Sequence, residues 1–274
     1  MARFILYLQA IASTLVEIAT SRGGRPEGKL ASGQIDFLDE ERVLTIAMLA
    51  DAGDEALRLA RFYDSGSHDP AESLAVHQAF RQKIDFLYTQ GRCFEFGYCK
   101  LALHLLRSEY SLAHKGVHKF LGGGVPDEVR ARCLARMRAW VYLATSTIQA
   151  EFPRWDATVC MSIFNLQDAH ADGQNGRTRE LNIRRLAHIL SLPFEEFHAE
   201  LDNVISAAHA IKSEGKGMSN AEAWTEAVQR ATARATSFGP LHHLRAALVR
   251  LNCWKGSTTS KVEQTFSRVD FMGS

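Results

Sequence analysis

Residues 37–63 read FLDEERVLTIAMLADAGDEALRLARFY. Leu44, Met48, Ala52, Leu57 and Ala60 return at the spacing of one helix face, not at the period of two that a half-buried strand shows. Asp36, Asp39, Glu40 and Glu41 crowd the front of the segment, where the helix dipole favours negative charge. The same period spreads outward in both directions. Ile5, Leu8, Leu15 and Ile18 mark a helix over 3–20, and Gly23, Gly24, Pro26, Gly28 and Gly33 mark a loop over 22–33. Asp69 and Pro70 open a helix over about 70–90, with Asp69 as cap. Further helices are expected over 97–120, 127–150, 154–167, 177–190, 193–212, 219–237 and 241–252, with a last one from Ser257 to about Val269. A polar loop is expected over 168–176, and no strand pair stands out. The expected fold is all-α, an irregular multi-helix bundle of about ten helices.

Of the 274 residues 46% are hydrophobic and 23% charged, the composition of a globular chain with room for one large domain or two small ones. The net charge of +1 excludes a simple polycation, but the charge is unevenly spread. Between Asp36 and Glu72 ten acids face three arginines, and between Ser73 and Ala150 eleven Lys/Arg face five acids. The two stretches either dock on each other or leave a basic surface for an anionic partner. Cys93, Cys99, Cys133, Cys160 and Cys253 are odd in number and irregular in spacing, which fits reduced thiols in the nucleus or cytoplasm, not a disulfide framework. The apolar run Phe4–Leu8 stops at Gln9, short of a signal peptide, and no window is apolar enough to span a membrane.

Four groups of residues could carry chemistry. Arg130, Arg132, Arg136 and Arg138 lie on one helix ahead of Trp140 and Tyr142, a pattern able to hold phosphates and stack on bases; the alternatives are a solvated helix face or a face docked on the acidic 36–72 stretch. Cys93, Cys99, His104, His114 and His118 could hold a metal, with His114 and His118 four apart on one helix face, although the cysteines are spaced more widely than in a zinc finger. Asp51, Asp54 and Glu55 form a carboxylate cluster that salt bridges to Arg58 and Arg61 explain more cheaply than a metal does. The phosphate-cradling, dinucleotide-binding, nucleophile-elbow and zinc-protease motifs are all absent from the sequence. The fourth group is Ser257-Thr-Thr-Ser-Lys-Val-Glu-Gln-Thr-Phe-Ser267, where hydroxyls offer N-cap oxygens and Val262 and Phe266 share a face beside Glu263.

This last stretch resembles the C-terminal signature of hAT-superfamily transposases, a hydroxyl-rich stretch followed by glutamate, two residues and Phe-Ser. Pro240-Leu-His-His-Leu-Arg-Ala-Ala-Leu resembles the helix that precedes it in the family. The resemblance implies residues 1–253 as a helical, insertion-like domain and 254–274 as the end of an RNase H-like catalytic core. It makes Glu263 the catalytic glutamate, which would help hold a divalent metal such as Mg once a complete core is supplied. Gln264 stands where the family has arginine, and the two strand-borne aspartates and the Cys-x-x-His motif have no counterpart. The implied function is a transposase-derived helical protein without a complete catalytic site and without a cofactor of its own. It would bind DNA through the arginine helix, or associate with itself or a partner helix through its C-terminal helix. The alternatives are a helical protein-interaction scaffold unrelated to transposases and a metal-dependent enzyme built on the Cys/His set.

Overall fold

The computed structural model describes residues 1–65, 68–107, 112–114, 117–119, 124–151, 159–167, 176–215, 217–233 and 241–254. The fold class is all-α. Two compact units divide the chain: Met1–Arg58 with Phe80–Ala150, and Leu59–Ala79 with Glu151–Ser274. Residues 1–253, read from the sequence as a single helical domain, therefore fall into both units.

The first unit opens with α1 (Ala2–Leu6) and α2 (Leu8–Ser21), one helical pattern interrupted at Tyr7. The segment expected to be a loop is instead largely helical, since α3 spans Pro26–Phe37. One of its glycines serves packing: a Cβ on buried Gly28 would lie 2.0 Å from the Arg22 carbonyl oxygen, so only glycine lets α3 close against the turn that follows α2. Pro26 stands at the first helical position, where its missing N–H costs nothing. Next come α4 (Glu40–Asp64) and α5 (Ser73–Ile84), which continues into a π-turn over Asp85–Thr89. Both α4 and α5 contribute residues to each unit.

Helix α6 spans only Gly97–Leu105, short of the expected 97–120. Beyond it lie two three-residue antiparallel strands, β1 (Leu112–His114) and β2 (Val117–Lys119), with His114 paired to Val117 and Ala113 to His118. This pairing overturns the helical reading of the stretch. Helix α7 (Asp127–Glu151) then buries Cys133, Met137 and Val141, one residue per turn.

The second unit is built around α8 (Gly176–Leu190), α9 (Phe194–Glu214), α10 (Asn220–Ala233) and α11 (His242–Trp254), with a 3-10 turn at Ser162–Phe164. Trp224 is fully buried in its core; its indole N–H donates to the Phe164 carbonyl at 2.9 Å and its ring meets Phe164 edge-on. Helix α10 begins with a capping box: Ser219 accepts from the Glu222 amide and the Glu222 carboxylate accepts from the Ser219 amide. Beside the box, buried Asn220 is held on three sides. Its amide N–H donates to Asp69, its side-chain oxygen accepts from the Leu166 amide, and its side-chain nitrogen donates to Glu72.

Candidate functional site

The arginines of α7 point back into their own unit. Arg132 donates through Nε and Nη2 to Glu41 of α4 at 3.2 and 2.8 Å, and Arg136 reaches the other oxygen of the same carboxylate at 2.5 Å. Arg132 lowers the Glu41 pKa below its ordinary 4.5, first through this hydrogen bond, with Arg136 adding Coulombic support. Arg138 donates to the carbonyl oxygens of Tyr88 and Thr89 at 3.1 and 2.8 Å, and so ties down the end of the π-turn. Arg130 pairs with Asp127, one turn earlier on α7, at 3.5 Å. The acidic front of α4 thus meets the basic helix, the mutual docking that the charge distribution allowed. Arg132 and Arg136 still expose 53% and 64% of their side chains, beside a partner that already neutralises them in part.

The carboxylate cluster separates on inspection. Asp51 accepts from the amides of Tyr98 and Cys99 at 2.8 and 3.0 Å, and so caps the front of α6 from another helix. A Cβ on Gly97, which has φ +56°, would lie 2.0 Å from that carboxylate. Glu55 pairs with Arg58 at 3.4 Å. Cys93 and Cys99 are both fully buried; the neighbouring Cys93 and burial push the Cys99 pKa up, while the same pairing lowers that of Cys93. His104 is exposed, and the strand pairing removes the shared helix face expected of His114 and His118. Among the described residues no group of three or more His, Cys, Asp or Glu could hold a metal ion, and no helix is long and apolar enough to cross a membrane. Glu263 and the whole Ser257–Ser267 motif lie outside the described residues.

A cleft of about 540 Å³ in the second unit is walled by Phe62, His68, Glu72, Lys212 and Met218 among others. Three of its polar groups are engaged in the wall: Lys212 donates to the Met218 carbonyl, Asp69 holds the amides of Ala71 and Asn220, and Glu72 accepts from Asn220 and Gln167.

Helix α8 is the second arginine helix, and the sequence reading gave it no function. Its inner face buries Ile183, Leu186, Ala187 and Leu190 in the core of the second unit. Its outer face carries Leu181, Arg184, Arg185, His188 and Ile189, spaced i, i+3, i+4, i+7 and i+8 around a shallow recess of about 480 Å³. Leu181 and Ile189 are 46% and 43% exposed. Arg184 pairs with Glu180 at 3.3 Å and lies 3.9 Å above the Phe194 ring, and Arg179 reaches Asp202 of α9 at 3.1 Å. Arg185 makes no hydrogen bond or ion pair among the described residues. A signal was present in the sequence: Leu181 and Ile189 sit on the side of the helical wheel opposite the Ile183–Leu190 core face, where an isolated surface helix would be polar throughout. No protein-family model, curated protein or solved structure matches the chain.

Proposed function

We propose that this chain is a helical interaction module, acting by docking a partner protein on the outer face of α8, not through chemistry of its own. The observation that carries the reading is the pairing on that face of two half-exposed aliphatic side chains, Leu181 and Ile189, with a guanidinium, Arg185, that has no partner among the described residues. Apolar side chains gathered on one face beside charged ones are the composition of a docking surface. The transposase-derived, DNA-binding reading rests on the motif around Glu263 and on Arg130, Arg132, Arg136 and Arg138. A phosphate at Arg132 or Arg136 would compete with the Glu41 carboxylate already there, which favours the interaction reading.

The test is photocrosslinking in the cells that express the protein. A photoreactive residue replacing exposed Thr178, one turn before Leu181, is expected to give discrete heavier adducts, and one replacing exposed Asp54 none. Failure of the Thr178 position to yield an adduct above the Asp54 background overturns the reading, whatever the charge of the partner.

A further inference from the structure

The composition of the α8 face narrows the kind of partner. Leu181 and Ile189 are eight residues apart, two turns of helix or about 12 Å along the axis. That spacing suits a second helix lying along α8 and presenting aliphatic residues from successive turns. The flanks of the face are cationic: Arg184 and Arg185, with Arg177 exposed one turn before Leu181. Helix α8 carries four arginines against the single carboxylate of Glu180, so its own field repels a basic partner. Among the described residues Arg184 is held only by a half-exposed ion pair with Glu180 and by the Phe194 ring, and an incoming carboxylate can share it. Nucleic acid fits less well, because Leu181 and Ile189 would be left against a phosphate backbone with nothing apolar to cover them.

We infer that the outer face of α8 receives an acidic amphipathic helix from a partner protein, its aliphatic stripe on Leu181 and Ile189 and its carboxylates on Arg185 and Arg184. This rests on the interaction reading above and adds the chemistry of the occupant. Binding is therefore salt-sensitive and requires both the apolar and the cationic parts of the face.

The experiment uses the full chain and labelled helical peptides of roughly 18 residues, long enough to run the length of α8. One peptide has an aliphatic stripe flanked by glutamates, a second the same stripe flanked by lysines, and a third the glutamates with the stripe changed to serine. Fluorescence anisotropy is expected to show binding of the first alone. Arg185→Glu is expected to weaken it by about tenfold or more, and Leu181→Ser with Ile189→Ser to a similar degree. All three substitutions are at exposed positions, and circular dichroism and thermal melting should match the wild type. Equal or better binding of the lysine peptide, lost on Leu181→Ser with Ile189→Ser, overturns the acidic partner while leaving the docking face in place. Binding of the glutamate peptide unaltered by either variant, or none up to about 100 μM, overturns the inference. So does random duplex DNA that displaces the glutamate peptide from the wild type but fails to bind the Arg185→Glu chain.

Discussion

Helices α7 and α8 carry four arginines each and use them in opposite ways. On α7, Arg132 and Arg136 close on one glutamate of α4, and Arg138 reaches two backbone carbonyls of the π-turn. On α8, the inner face is filled by aliphatic residues and two of the arginines, Arg177 and Arg185, face solvent without a partner among the described residues. Arginine count is therefore a poor guide to a binding surface. What separates the two helices is whether an acidic or carbonyl partner from the same unit has already claimed the guanidinium, and whether aliphatic side chains stand exposed beside it.

The sharpest way to break the comparison is within α8 itself. Ile183 is fully buried and Ile189 is 43% exposed, so Ile183→Ala should cost about 2–5 kcal/mol and Ile189→Ala less than about 0.5 kcal/mol in urea unfolding. Similar losses at both sites would mean that Ile189 is part of the core, and the proposed docking face would disappear. A second contrast sets the helices against each other: Arg138→Ala should cost on the order of 1–2 kcal/mol through its two carbonyl partners, whereas Arg185→Ala should stay within about 0.5 kcal/mol.

A third contrast uses pH. The Glu41 carboxylate has its pKa lowered from 4.5 by Arg132, so the stability it adds is complete above 4.5 and is lost as pH falls below 4.5 through the depressed folded value. Glu41→Gln should lack that increment at neutral pH and converge with the wild type in acid, as denaturation curves across the pH range would show. The smallest expected effect concerns nucleic acid: Arg132→Ala with Arg136→Ala should leave binding to random duplex DNA at low salt unchanged. A marked loss would restore α7 as a nucleic-acid surface.

The helical class was legible because buried positions such as Leu44, Met48 and Ala52, or Cys133, Met137 and Val141, repeat once per turn. Helix α3 was not, because glycine and proline were read as breakers; the close approach of the Arg22 carbonyl to Gly28 is a tertiary fact that no local pattern contains. The β1–β2 pair was masked by the helical period of Leu101 and Leu105 running into it. At the arginines the limit was distance. Glu41 stands 91 residues from Arg132, so the acidic and basic stretches could be seen to match in charge but not to meet. The outer face of α8, by contrast, is written in one segment, and its signal is arginines beside stranded aliphatic residues, not the arginines followed by aromatics that mark α7.

The carboxylate of Asp51 on the amides of Tyr98 and Cys99 spans 47 and 48 positions of sequence. Helix α6 is nine residues long, too short to persist in water without help. Its first turn is finished only when α4 is in place, so the two helices share a fate in time as well as in space. In native-state hydrogen exchange the amides of Tyr98 and Cys99 should open together with the middle of α4, and Gly97→Ala, by pushing the carboxylate away, should release that pair as one cooperative unit while the rest of the unit stays closed.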